Sequence, residues 1–299
     1  MSGTLQAGVV VEAGLVLDAR ARLGEGPVWD VRQQVLWWVD IVGRAVHRFT
    51  PGDGSARTTN VAGEVGAVVI REGGGLVAAL PGGFWTLDPE TGHAEQLAAV
   101  EEDRPGNRMN DGKCDPAGRF LAGTMAFDTR PGAGSLYRLD AHRSVTRLVA
   151  GVTISNGLGW SPDGRTLYYI DTPTRRVDAF SYDPMTGAIA DRRSVLEIED
   201  GAGDPDGMTV DRDGCLWVAL WGGWAVRAYR PDGTLARIIR LPVAQVTSCT
   251  FGGADFGDLY ITTAWDGLGA EERQRQPLAG GVFRTRPGAC GLPPHRYLG

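Results

Sequence analysis

The sequence predicts an all-β fold, a six-bladed β-propeller with a central channel, on three observations. Apolar runs rich in aromatic and β-branched residues recur six times. They are separated by turns rich in Gly, Pro and Asp, and no helical 3.6-residue pattern of useful length lies between them. Taking Leu36, Leu76, Phe120, Leu167, Leu216 and Leu259 as equivalent positions, the successive spacings are 40, 44, 47, 49 and 43 residues. A β-sandwich would not account for six such spacings, whereas packing four-stranded blades around a channel buries the faces that each blade alone would expose.

The first run of each repeat is VLWWVDI (35–41), GLVAAL (75–80), RFLAGTM (119–125), TLYYIDT (166–172), CLWVALW (215–221) or DLYITTA (258–264). A second run follows and ends in a turn: AVHRFTPGDG, GFWTLDPETG, SLYRLDAH, RVDAFSYDPMTG, AVRAYRPDG and GVFRTRPG. Residues 8–20, GVVVEAGLVLDAR, precede the first repeat and are expected to add a strand to the last blade and lock the ring. Residues 1–299 are thus read as a single propeller domain.

Composition narrows the classes of function. The 299-residue chain is 42% hydrophobic and 22% charged, enough apolar material for a large core. A net charge of −6 speaks against a nucleic-acid surface. No run approaches the length of a membrane helix, and the N-terminus lacks a basic leader region, so a cytoplasmic protein without a membrane partner is expected. Cys114, Cys215, Cys249 and Cys290 show no CxxC spacing and read as reduced thiols. There is no HExxH and no GxSxG, which disfavours a histidine-rich zinc site or a Ser-His triad. Lys113 is the only lysine; it reads as a solvated or ion-paired group before it reads as a Schiff-base nucleophile.

A polar residue lies five positions ahead of the turn in several repeats. Asn110 precedes DPAG, Asn156 precedes SPDG, Asp206 precedes DRDG, and Glu25 stands five residues before Asp30; the looser second and sixth repeats place Gly66 and Thr247 there. The turns need only their Asp, Pro and Gly. The upstream residue falls where the innermost strand of a blade begins, so Glu25, Asn110, Asn156 and Asp206 should converge on one axis. Desolvated carboxylates brought together are costly unless a cation joins them. The all-oxygen donor set suits one hard divalent ion, with Ca²⁺ favoured, Mg²⁺ and Mn²⁺ close behind, and zinc or ferrous iron open. A water-filled channel with polar residues bonded to one another is the alternative.

The segments LGEGPVWD, RMNDGKCDPAGRFLAGTM, ISNGLGWSPDG and DPDGMTVDRDGCLWVA closely resemble the gluconolactonase/regucalcin family, also called the senescence marker protein family, from about Leu23 to Phe283. ALWGGWAVRAYRPDG and QPLAGGVFR are most similar to its bacterial sugar-lactonase branch. The resemblance implies a hydrolase that binds one divalent ion in its channel and opens sugar lactones such as glucono-, galactono- or xylono-lactone. It implies metal ligation by Glu25, Asn156 and Asp206 and substrate contacts from Arg108 and Asn110, with Asp128 at a further acidic position where the family often has Glu.

On this reading Asp206 also accepts a proton from the attacking water. Arg108 could instead be a surface ion-pair partner. Asp111 adjoins the motif, yet strand alternation predicts that it faces away. Trp37, Trp38 and Trp217 read as packing between blades, and Trp221 and Trp224 of the WGGW loop as candidates for stacking on a sugar. Three rivals stand beside the lactonase: a non-enzymatic calcium-binding regulatory protein of the regucalcin type, a different esterase or phosphotriesterase on the same scaffold, and an interaction scaffold. The lactone used and the oligomeric state are left open.

Overall fold

In the computed structural model, which describes residues 9–299, the chain forms six small antiparallel sheets. Gly8, the first residue of the expected closing segment, lies outside the described residues. The inner strands of the six blades are Gly24–Asp30, Ala67–Ile70, Asn107–Cys114, Ser155–Trp160, Asp204–Val210 and Val246–Gly252. Each touches the inner strands of its two neighbours, and the last touches the first, so the sheets close into a six-bladed propeller. The apolar runs read from the sequence are the second strands, for example Val35–Asp40 and Leu216–Trp221.

The N-terminal segment does two things. Gly14–Leu17 pairs antiparallel with Val282–Thr285 as the outer strand of blade six. Val9–Glu12 runs parallel to Leu235–Arg240 and adds a fifth strand to blade five, a pairing the sequence did not suggest.

The core is divided into six apolar clusters, one at each junction between blades. Trp29, Leu36 and Trp38 of blade one meet Tyr260 and Val282 of blade six. Trp29 and Tyr260 stack there with ring centroids 5.5 Å apart. Trp217 of blade five meets Phe251 of blade six edge-on at 5.3 Å. Trp37, Trp38 and Trp217 are fully occupied by packing, at 4%, 0% and 1% exposure. A buried aromatic contributes roughly 1.5–3 kcal/mol by burial, so these junctions hold the ring rigid around the channel.

The turns behave as their composition demands. Asp115 Oδ1 accepts the N–H groups of Ala117 and Arg119 at 2.9 and 2.7 Å, and Asp211 Oδ1 those of Asp213 and Cys215 at 3.0 and 2.8 Å. These staples fix where each inner strand ends, and therefore which residue stands five positions upstream.

Candidate functional site

The five-residue register is also a register of bulges. Strand pairing is interrupted between Glu25 and Val28, Met109 and Gly112, Ser155 and Leu158, Pro205 and Met208, and Val246 and Ser248. A bulge releases residues from the ladder and re-aims their side chains. In blades one, three, four and five it carries Glu25, Asn110, Asn156 and Asp206, all buried. Blade two pairs without interruption from Ala67 to Ile70. A Cβ on Gly66, just before that strand, would stand 2.5 Å from the Asn110 carbonyl oxygen, which explains why this blade contributes no side chain. Gly157, just behind Asn156, is required for the same reason: its Cβ would meet the Asp206 carbonyl oxygen at 2.7 Å.

A chain of hydrogen bonds joins three blades. Arg108 Nη1 donates to Asn110 Oδ1 at 2.6 Å and to the Met109 carbonyl at 3.1 Å. Asn110 Nδ2 donates to Asn156 Oδ1 at 2.8 Å and to the Ser155 carbonyl at 2.7 Å. Asn156 Nδ2 donates to Thr172 Oγ1, which donates to the Pro205 carbonyl, both at 2.7 Å. Both amide hydrogens of Asn110 are thus taken, and Asn156 Oδ1 keeps one lone pair.

The two carboxylates share an electrostatic problem. Burial and the nearby Asp111 carboxylate push the Glu25 carboxyl up to about 8, while the Gly26 N–H and the Arg108 guanidinium pull the other way. Asp206 is raised well above the usual carboxylate range, first by burial and then by Glu25 and Asp111, with Arg108 again opposing. Glu25 Oε2 accepts the Gly26 N–H at 2.9 Å. Asp206 accepts no hydrogen bond among the described residues. Burial lowers the Arg108 pKa, and Glu25, Glu64, Asp206 and Asp266 support its charge.

This donor set fits a divalent cation. Two desolvated carboxyl groups with free lone pairs and one neutral amide oxygen are hard ligands, opposed in charge among the groups named here only by Arg108. Among the described residues no three His, Cys, Asp or Glu side chains gather as a cation cluster.

The other residues singled out from sequence lie as follows. Asp128 is exposed in the turn after Phe120–Ala126, where its Oδ1 accepts the Arg130 N–H at 3.2 Å; it does not join the buried group. Asp111 does not face away as alternation predicted. The bulge between Met109 and Gly112 breaks the alternation, and the buried Asp111 lines the channel. Lys113, half-buried, donates to the Met208 carbonyl at 2.7 Å across the channel. Trp221 is half-buried and Trp224, with φ of 56°, is 45% exposed. Glu64, Asp266 and Thr172 were missed: no motif marks them, and only the packing of blades brings them to Arg108 and Asn156. Beside Arg108, between the tops of blades two and three, lies a cavity of about 450 Å³ that also touches Glu64, Asn107 and Phe127.

Comparison with known proteins bears on the family and the fold. The profile of the SMP-30/Gluconolactonase/LRE-like region matches residues 23–265. Regucalcin of Gallus gallus is 44% identical over 287 residues, covering 94% of this chain and 96% of its own. Among solved structures, a calcium-binding protein, regucalcin, from Agrobacterium tumefaciens superposes with a TM-score of 0.93 at 29% identity, covering 97% of this chain and 99% of its own. A gluconolactonase from Xanthomonas campestris gives a TM-score of 0.71 at 26% identity, covering 90% of this chain and 87% of its own.

Proposed function

The chain belongs to the SMP-30/gluconolactonase/LRE-like family, and from that premise we propose that it is a divalent-metal-dependent lactonase that opens the ring ester of sugar lactones to the aldonic acid. The observation that carries this reading is the buried pair Glu25 and Asp206, whose four carboxyl oxygens receive a single hydrogen bond among the described residues, from the Gly26 N–H.

Glu25, Asn156 and Asp206 would hold the ion. A bound divalent cation polarises an ester carbonyl and stabilises the charge that develops on its oxygen. The chain's own residues do the rest. Asp206 accepts a proton from the attacking water, whose oxygen bonds to the carbonyl carbon, and returns that proton to the ring oxygen as the ring C–O bond breaks. Arg108, held by Asn110 Oδ1 and the Met109 carbonyl, presents its remaining N–H groups to the hydroxyls or carbonyl of the substrate. Asn110 aligns Arg108 with Asn156, and Asp128 would meet outlying hydroxyls at the lip. General-base help of this kind is typically worth about 10²–10⁴ in rate.

The non-enzymatic calcium-binding reading is favoured by the name of the Agrobacterium relative and needs the same ion site. Elemental analysis of the purified protein, followed by a pH-indicator assay with glucono-, galactono- and xylono-lactone and added divalent ions, separates the two. Turnover restored by one or more ions is expected. A lactone panel that hydrolyses no faster than in buffer with every ion tried would leave only the binding protein.

A further inference from the structure

Below the ion site the channel opens into a second cavity of about 410 Å³, to which the inner strand of every blade contributes. Neither Glu25 nor Asp206 lines it. Its wall carries Val28, Val69, Val210 and Trp160; its polar side carries Lys113, Ser248 and Thr250. The C-terminal segment crosses the far mouth as a strap. It is tied to blades five and six by Arg212 N–H to the Cys290 carbonyl and Gly291 N–H to the Phe256 carbonyl, both 2.9 Å. It is tied to blades two and three by Tyr297 N–H to the Ile70 carbonyl at 2.9 Å and Leu298 N–H to the Gly118 carbonyl at 3.0 Å, and to blade one by Arg296 on Asp30 at 2.5 Å. Between these anchors Leu292, Pro293, Pro294 and His295 cover the cavity. On the blade-four side the wall is the turn at Pro162–Gly164, to which the strap makes no backbone hydrogen bond among the described residues.

The polar groups in this cavity have hydrogen-bonding capacity to spare. Lys113 gives one hydrogen bond, to the Met208 carbonyl, and no carboxylate among the described residues comes within ion-pair distance of its Nζ. The hydroxyls of Ser248 and Thr250, both buried residues, have no hydrogen-bond partner among the described residues. Asp111 also lines the cavity, and its carboxylate supports the charge of Lys113 as well as acting on Glu25 and Asp206. Asp163, in the turn at Pro162–Gly164, accepts the Ser161 Oγ–H and the Arg165 N–H on Oδ1 at 2.6 and 3.1 Å. A half-buried ammonium with N–H groups to spare and two hydroxyls that no protein group engages among the described residues suit an acceptor that spreads negative charge over two oxygens. The valine and tryptophan wall calls for an apolar body behind it, and the volume suits a small molecule.

We propose that this far chamber is a second binding site, for a small monocarboxylic acid with an apolar body, its carboxylate on Lys113, Ser248 and Thr250. The site does not depend on the lactonase reading. Benzoate is the probe, with phosphate and the polyol acid gluconate as controls. Binding to the full chain is measured by calorimetry and saturation-transfer NMR, with metal and after EDTA treatment.

Benzoate is expected to bind equally in both states, and phosphate and gluconate not to compete. Lys113→Met should weaken benzoate at least about tenfold, as the loss of a charged hydrogen bond does. Thr250→Val, nearly equal in shape, should weaken it by a few-fold. Binding that disappears with EDTA would place the acid on the metal instead, and unchanged affinity in both variants would place it elsewhere on the protein. Failure to bind at millimolar benzoate, or displacement by phosphate, would equally overturn the proposal. Thr250→Val answers the question even if Lys113→Met fails to fold.

Discussion

Asn110 Nδ2 donates to Asn156 Oδ1 at 2.8 Å across the junction between blades three and four, so the amide proposed as a ligand is oriented by its neighbour. Asn110 in turn is fixed by the Ser155 carbonyl and by Arg108. Partners that orient a ligand typically contribute about 10–100-fold to metal affinity. Asn110→Ala is therefore expected to weaken the divalent ion by about that factor while the fold is retained. Calorimetric titration of the EDTA-treated variant checks it; wild-type affinity would show that Asn156 needs no such support.

Glu25 and Asp206 oppose each other until a cation joins them. Glu25→Gln removes a carboxyl whose ionisation burial and Asp111 oppose, and keeps the shape of the side chain. Its metal binding and lactone turnover should fall by at least about 10², while the EDTA-treated variant should melt a few degrees above EDTA-treated wild type, since roughly 1 kcal/mol shifts the melting point of a chain this size by about 2–4 °C. The calcium-loaded proteins should show the reverse order, because only wild type gains from binding. A metal-free variant that melts below metal-free wild type would contradict the repulsion.

Much of this site could be read from the sequence because the repeat fixes geometry. Glu25, Asn110, Asn156 and Asp206 share one distance to a turn, and in a closed ring one distance means one height along the axis. What defeated the reading was a local departure from strand geometry. Asp111 was assigned to the opposite face because strand side chains alternate, yet the bulge between Met109 and Gly112 puts Asp111 in the channel wall as well. The pairing of Val9–Glu12 with blade five was hidden because an outer strand carries little pattern: its residues are mostly exposed. Glu64, Asp266 and Thr172 are joined to the site only through tertiary packing, and no spacing in the chain encodes that.

Gly66 offers a test of the blade that gives no ligand. Its missing side chain leaves room for the Asn110 backbone, and a Cβ would fall 2.5 Å from the Asn110 carbonyl oxygen and 2.7 Å from its nitrogen. Backbone cannot swing aside as a side chain can. Gly66→Ala should cost about 1–3 kcal/mol, as overpacking generally does, and should weaken metal binding by displacing Asn110. Denaturant unfolding and metal titration measure the two effects. A stable variant with normal affinity would mean that blades two and three can part without consequence.

Acid sensitivity should come in part from a histidine remote from the channel. His47 stacks on Trp38 with ring centroids 4.0 Å apart, and its Nδ1 lies 2.9 Å from Thr58 Oγ1. Its Nε2 is buried without a hydrogen-bond partner. Burial pushes its pKa down to about 4, against the smaller opposing pull of Asp40. The ring is therefore neutral in the folded protein over a range where the unfolded chain binds a proton. With the unfolded value near the ordinary 6.5, its contribution is complete above that pH. It is lost progressively as the pH falls from 6.5 towards 4, since the unfolded state there holds more protons. His47→Gln removes the titration while retaining a polar partner for Thr58. Its melting temperature should fall less steeply than that of wild type between pH 6.5 and 4. Parallel curves over that interval would show that His47 takes up its proton as readily in the folded protein as in the unfolded chain.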